Sequence, residues 1–456
     1  MTSTIDALAR RFDGELVQPE DPTYDEARAV WNGLVDRRPA VIARCLSTTD
    51  VQVAIRYARQ HDLPISVRGG GHNVAGTSVC DDGVVIDMGE MRSVKVDPAT
   101  RTARVAAGAR WADLDAATQA HGLAVTGGVD SRTGVAGLTL GGGVGFLARK
   151  HGLTIDNLLA VDLVTADGRS VRASEDENPD LFWALRGGGG NVGVVTTFEF
   201  RLHELGPEVL TAQVFHRYED AEDVLRFHRD LMAEAPDELA CSAAVVHVPP
   251  VEPFPEGLHG APAVAQIGCY VGDVEEGRAH LDPIGSFGDP ILAAVTPMPY
   301  TALQQSLDAG TPDGARYYWK SNFLSGLSDE AITTLVKAAE PLPGPFSMIG
   351  IESLGGAVNR VPTSATAWPH RDATFNLGIW AGWTDDADDE ECRRWAREVH
   401  AAMEPFAADG AYVNYLDADD QDRLGEAYGE HIGRLRDIER TWDPDGLFRR
   451  DVGGTT

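Results

Sequence analysis

A two-part α+β fold is the architecture this sequence predicts, on three observations. Short β-branched runs alternate with amphipathic segments, and several runs lie too close together for crossover helices, so antiparallel or mixed pairing is expected. Glycine clusters crowd the first half of the chain and then stop after Leu205-Gly206-Pro207. Beyond that point amphipathic helices alternate with spaced strands, which predicts a second α+β domain, an antiparallel sheet covered by helices. A chain of 456 residues also exceeds the size at which a single core stops growing.

Taken in order, residues 40–44 (AVIAR) predict a strand, 51–61 a helix with Thr48, Thr49 or Asp50 as N-cap, and 64–67 the next strand. Residues 84–88, 94–97 and 102–106 follow as strands, then a helix over 111–121 that Gly122 ends. A strand over 158–165 closes at the turn Ala166-Asp167-Gly168, before a short helix at 180–185 and a strand at 194–201. In the second part, helices are expected over 221–233, 328–339 and 389–403, and strands over 239–248, 263–270, 346–354 and 375–383. Residues 249–262 are proline-rich and predict a loop. The tail from Ala411 predicts a short apolar strand, a helix and a closing turn at 442–446.

Composition narrows the function. No apolar run approaches 20 residues and the first residues lack a signal-peptide core, so a cytoplasmic protein without membrane spans is expected. Cys45, Cys80, Cys241, Cys269 and Cys392 are scattered without zinc spacing, which predicts isolated thiols and no metal. The acidic run 385–391 lacks the glycine and spacing of a calcium loop and reads as a solvated helix start. A net charge of −31 repels nucleic acid and acidic membranes. With lysine only at Lys95, Lys150, Lys320 and Lys337, that acidity fits either a GC-rich genome or adaptation to high salt, and the halophilic reading is the one expected.

The most informative stretch is 65–76, ISVRGGGHNVAG. Gly69, Gly70 and Gly71 lack Cβ atoms, so the backbone turns several N–H groups toward one anion, with Arg68 and His72 expected at its edge. The second cluster, TGGVDSRTGVAGLTLGGGVG at 126–145, has eight glycines in twenty residues and too little serine and proline for a linker, which predicts a ligand-facing loop. The third, RGGGGNVGVVT at 186–196, contains GxGxxG at Gly188, Gly190 and Gly193, but a helix precedes it and a strand follows, so the nicotinamide-type fingerprint fails on context. Together the clusters imply one extended ligand with a pyrophosphate.

These residues resemble the vanillyl-alcohol-oxidase/p-cresol-methylhydroxylase (PCMH) type flavoproteins, and among them the berberine-bridge-enzyme-like branch. The resemblance rests on Arg68 to Asn73, the loop Gly134 to Gly145, Lys150 to Asn157, Arg186 to Thr196, the run Tyr412-Val413-Asn414-Tyr415 and the closing Asp443 to Phe448. Length and spacing are similar to the nicotine-oxidase-like members. The resemblance implies a two-subdomain PCMH-type FAD-binding domain over 1–206 (core about 36–206), a substrate-binding domain over 207–409, and a C-terminal segment, 410–456, returning to the first. It implies that His72 carries FAD covalently through the flavin 8α-methyl group, chemistry that suits a neutral imidazole near pH 7. With Asp130 where some members place a second, cysteinyl link, a single bond is expected. Implied cofactor contacts are Arg68, Gly69, Gly70, Gly71, Asn73, Gly76, Gly127, Gly128, Val129, Thr133, Gly134, Val135, Gly137, Gly143, Gly145, Val194, Val195 and Tyr412. Val135 is expected to tune oxygen access and to favour an oxidase.

Hydride transfer to a flavin needs a substrate C–H over the ring and a base for the proton. Tyr412 is the first candidate as base or positioning donor, with Asn414 on the same face; strand alternation turns Tyr415 away into core. Glu352 is a candidate base or cation partner, beside Met348 and Gly350 where nicotine-oxidase-like members carry more charge, so nicotine itself is not implied as substrate. Tyr317, Tyr318, Trp319 and Lys320 form either a pocket wall or core, and His370 with Arg371 resembles a buttress. The expected activity is oxidation of an alcohol, sugar or amine by FAD with O2, in a monomer or homodimer. A dehydrogenase with another acceptor and a ligand-sequestering flavoprotein remain the alternatives.

Overall fold

The computed structural model describes Ile5 and residues 8–448; residues 449–456 of the expected C-terminal segment lie outside the described residues. The first sheet holds β1 (Glu15–Val17), β2 (Val41–Arg44), β3 (Ile65–Arg68) and β4 (Val84–Asp87) in the order β1-β2-β4-β3. Both β2 and β3 run parallel to β4, so this part is mixed rather than purely antiparallel. The helix Thr48–Gln60 supplies the first crossover and buries Val51, Ala54, Ile55 and Ala58, a single helical stripe. Its cap is Ser47, one residue ahead of the expected candidates, whose hydroxyl accepts from the Asp50 N–H.

The second sheet joins β5 (Val94–Asp97), β6 (Thr102–Ala106), β8 (Leu158–Val164), β9 (Ser170–Ser174) and β10 (Val194–Arg201) in the antiparallel order β5-β6-β10-β8-β9. A small pair, β7 (Leu123–Ala124) with β11 (His203–Glu204), closes this part. One apolar core runs beneath both sheets and takes in Leu435, Ile438 and Phe448 from the far end of the chain.

The third sheet is antiparallel and has seven strands: β12 (Glu208–Arg217), β13 (Leu239–His247), β14 (Pro262–Tyr270), β15 (Leu292–Pro299), β16 (Arg316–Leu324), β17 (Met348–Ser353) and β18 (Phe375–Trp383). Their order is β15-β12-β14-β13-β17-β18-β16. Helices Ala221–Glu234, Val274–Ser286, Asp329–Ala339 and Asp389–Met403 cover one face, burying a second core of Leu, Ile, Val and Trp residues. The other face fronts the glycine-rich half, and a cavity of about 2350 Å³ opens between them. The tail departs from expectation: residues 413–415 form a 3₁₀ turn rather than a strand, followed by helices Leu424–Tyr428 and Ile432–Trp442. All five cysteines are free thiols, four buried and Cys80 half-buried.

Candidate functional site

The three glycine clusters meet around this one cavity, because only bare backbone permits their approach. A Cβ on Gly70 would stand 2.4 Å from the Gly134 nitrogen, and one on Gly134 would stand 2.4 Å from the Gly70 nitrogen, so neither position admits a side chain. The third cluster joins where the Gly189 N–H donates to the Leu140 carbonyl at 2.9 Å. Gly69, Gly70 and Gly71 line the cavity, and the N–H groups of Gly70, Gly71, His72 and Asn73 have no acceptor among the described residues. A row of unpartnered donors at a turn with positive φ at Gly71 is the geometry of an anion nest.

His72 opens onto the cavity beside this turn. Its ring stacks on Trp31 at 5.2 Å, and its Nδ1 lies 3.3 Å from the Thr133 hydroxyl. Burial pushes its pKa down to about 4, against the opposing pull of Asp130, so the imidazole is neutral at ordinary pH. Asp130 also lines the cavity, paired with Arg132 and accepting from the Thr311 hydroxyl at 2.7 Å. Trp31, for which no sequence signal existed, stacks on Tyr317 of β16 at 3.9 Å. Its neighbour Asn32 donates its side-chain amide to the carbonyls of Val74 and Tyr317, at 2.8 and 2.9 Å, and accepts from the Tyr317 N–H at 3.0 Å.

Several expected cofactor residues stand elsewhere. Arg68 is buried away from the cavity, its guanidinium bound to Asp87 at 2.7 Å and to the Ala29 carbonyl, so its charge is neutralised by the parallel strand beside it. Val135 begins a short helix, Val135–Leu140, where a loop was expected; its side chain is fully buried in the first core, while Ala136, Gly137 and Thr133 face the cavity. Gly76, Gly127, Gly143 and Gly145 sit behind the lining, pressed on Val35, Trp111, Thr154 and the Gly127 carbonyl respectively. Asn73, Gly128, Val129, Gly134, Val194 and Val195 do line it.

At the sheet wall, Glu352 on β17 is buried and accepts from the Asn376 amide at 2.6 Å. The hydroxyl of Tyr415 stands within hydrogen-bond distance of both its oxygens. Burial pushes the Glu352 pKa up to about 7, and the donors Asn376 and Tyr415 partly oppose the rise. Tyr415 therefore faces the site, contrary to the alternation expected of a strand, because the 3₁₀ turn brings it round beside Tyr412, 4.8 Å between ring centroids. Tyr412 accepts from the Gly143 N–H at 3.1 Å and from the Asn414 amide at 3.0 Å. Burial raises its pKa to about 12, so the phenol keeps its proton near neutral pH and is placed to donate. Asn414 ties this pair to the Leu138 carbonyl at 3.1 Å.

The strand β16 divides by alternation: Tyr317 and Trp319 face the cavity, whereas Tyr318 and Lys320 bind Asp419, with Lys320 also on Asp420. Trp380 lies flat across Gly350 and Gly378, directly paired residues whose Cβ atoms would enter the indole ring. Arg371 forms a buried two-bond pair with Asp156 at 2.7 and 2.8 Å, and His370 contacts the Ala427 carbonyl at 2.9 Å, both away from the cavity. Among the described residues no cluster could hold a metal ion, and no helix is long and apolar enough to cross a membrane.

Two family models match the chain: an FAD binding domain over residues 39–174, and berberine and berberine like over 411–452. (R)-6-hydroxynicotine oxidase of Paenarthrobacter nicotinovorans is 32% identical, with 96% of each chain covered. An FAD-linked oxidoreductase of Dictyostelium discoideum is 30% identical over 99% of this chain and 96% of its own. The crystal structure of 6-hydroxy-D-nicotine oxidase from Arthrobacter nicotinovorans superposes with a TM-score of 0.86 at 29% identity, over 97% of this chain and 98% of that one. Glucooligosaccharide oxidase of Acremonium strictum, whose FAD is described as 6-S-cysteinyl and 8α-N1-histidyl, gives a TM-score of 0.86 at 26% identity, over 98% and 97%.

Proposed function

Because the chain belongs to the berberine-bridge-enzyme-like FAD-linked oxidoreductases, we propose that it is an FAD-dependent oxidase of a small alcohol, sugar or amine, with its flavin carried covalently on His72. The residues present fit FAD. The free N–H row at 70–73 suits a pyrophosphate, and the Gly70–Gly134 contact gives a cradle no side chain obstructs. In this reading 1–206 and 410–456 hold the cofactor and 207–409 the substrate.

When bound, FAD accepts a hydride from the substrate and passes the electrons to dioxygen. The chain's own residues prepare that exchange. A neutral His72 nitrogen is the nucleophile a bond to the flavin requires, and no cysteine between Cys80 and Cys241 offers a second one. Glu352, poised near pH 7, takes the proton from a substrate hydroxyl or ammonium, while Tyr415 and Asn376 hold its oxygens in place. Tyr412 donates its phenolic proton toward the substrate, fixed by Gly143 and Asn414. The aromatic walls of Trp319, Trp380 and Tyr317 exclude water around them.

The observation that carries this reading is that the neutral His72 and the near-neutral carboxyl Glu352 open on the same cavity. Two measurements test it. Acid precipitation should leave a yellow pellet, and a yellow supernatant would remove the covalent link. Anaerobic mixing with alcohols, sugars and cyclic amines should bleach the flavin, and admitted air should restore it within seconds. Ligand binding without bleaching would indicate sequestration, and a reduced flavin persisting for minutes in air would indicate a dehydrogenase. The net charge of −31 supports a further reading, a cytoplasmic protein adapted to high salt.

A further inference from the structure

The cavity has room for the flavin and a further ligand beside it. Sites for single small molecules occupy about 300–1,000 Å³, whereas this one measures about 2350 Å³. Its extra length lies along the sheet, on the side away from the glycine clusters. From Glu352 on β17 the cavity-facing row crosses to Ser242 on β13, Ile267 on β14 and Gln213 on β12, each residue paired directly with the next. Three strand spacings of about 4.8 Å put Gln213 roughly 14 Å from Glu352.

The parallel row one step along the strands is Gly350, Ala244, Ala265 and Phe215, again paired in register. Small side chains at Ala244 and Ala265 lower the floor there, and Phe215 closes its end. The roof is the proline-rich loop after β13, an ordered lobe with its own apolar cluster: Val248, Phe254 and Ala263 pack against Phe215 and Leu292. His247 and His259 tie that lobe to its own carbonyls, at 3.0 and 3.1 Å. At the mouth stands Val251, 56% exposed, one of two large hydrophobic side chains left so open to water among the described residues. Val246, Val248, Pro249 and Pro250 carry the apolar lining up to it.

We propose that this arm binds the apolar tail of an amphiphilic substrate whose reacting, hydroxyl- or amine-bearing end lies at Glu352 and Tyr415. The inference rests on the flavin reading for the reacting end only; the tail site stands on the channel itself. It selects the substrate class: a ring or short polar head joined to an aliphatic chain extending roughly 14 Å, in preference to a free monosaccharide. The aromatic head wall is Trp319, Trp380 and Tyr415: Tyr415 meets each indole edge to face at 5.4 Å, and the two indoles are tilted against each other at 5.9 Å.

The test is the affinity of the holoenzyme for 4-alkylphenols from methyl to nonyl, read by quenching of tryptophan emission and, separately, by displacement of the flavin spectrum. Affinity should rise about threefold to fourfold per methylene and level off once the chain spans the channel. In Ala244→Phe the rise should stop after the first few carbons. Val251→Asp, an exposed position that leaves folding intact, should weaken nonyl binding at least tenfold and leave the methyl compound unchanged. An affinity independent of chain length, or a dependence that survives both substitutions, would overturn the tail site. Loss of the flavin signal with the tryptophan response intact would count against the flavin reading instead.

Discussion

The hydroxyl of Tyr415 stands 3.0 and 3.1 Å from the two carboxylate oxygens of Glu352, so its single proton is shared between them and favours the ionised form. Burial alone drives the carboxyl upward, and the balance leaves it at about 7. If Glu352 is the base, kcat/KM rises with pH as the carboxyl ionises, with an acid limb near 7. Tyr415→Phe removes the donor, so the limb should move about one unit higher, with activity recovered near pH 9. Glu352→Gln should abolish the limb and lower kcat by about 10²- to 10⁴-fold. A Tyr415→Phe profile superimposable on wild type would remove Tyr415 from the mechanism.

Gly134→Ala brings a methyl group to 2.4 Å from the Gly70 nitrogen. The two backbones must separate, which costs about 1–3 kcal/mol as overpacking. The expected protein is folded but pale, and the ratio of visible to ultraviolet absorbance reads the lost flavin directly. Full flavin content would mean that the seam has slack.

Arg371 and Asp156 form an ion pair with 3% and 8% of their side chains exposed. Arg371→Ala strands a buried carboxylate and should cost about 3–5 kcal/mol. Thermal unfolding measures that loss, and the flavin spectrum of the folded fraction should stay unchanged, since the pair lies outside the cavity.

With 70 acidic against 39 basic residues, self-repulsion opposes the compact state wherever counterions are scarce. Unfolding in rising KCl should shift to higher temperature until screening is complete. A midpoint indifferent to KCl would leave the arginine-rich, acidic composition to base composition of the genome.

The glycine clusters were legible because their chemistry is local: a run such as Gly69-Gly70-Gly71 has few uses other than close backbone approach. The central strands β13, β14 and β18 were legible for a related reason, being apolar runs of fitting length. The strand β15 was missed because Pro297 and Pro299 argue against a strand, and the sheet admits them only because β15 is an edge. At the opposite edge β16 mixes Lys320 with aromatics, a pattern that makes sense only once Asp419 and Asp420 arrive from the tail. The partner of Arg68 was hidden for the same cause, since nothing near it in sequence announces Asp87 on the neighbouring strand. Tyr415 needed the turn at 413–415, and a run of Val, Asn and Tyr reads as strand or turn alike.

Asn32 gives the cavity a gauge. Its one amide group grips the carbonyl of Val74, two residues past His72, and both backbone groups of Tyr317 on the far wall. A planar amide keeps its oxygen and nitrogen in a fixed relation, so one rigid group ties the two walls together alongside the side-chain packing. Trp31, next in sequence, completes the tie, since its ring stacks on His72 at 5.2 Å and on Tyr317 at 3.9 Å and so fills the gap between them. Asn32→Asp would replace the two-donor amide nitrogen by one further acceptor oxygen facing two carbonyls, turning the clamp into a repulsive spacer at a cost felt on both walls together.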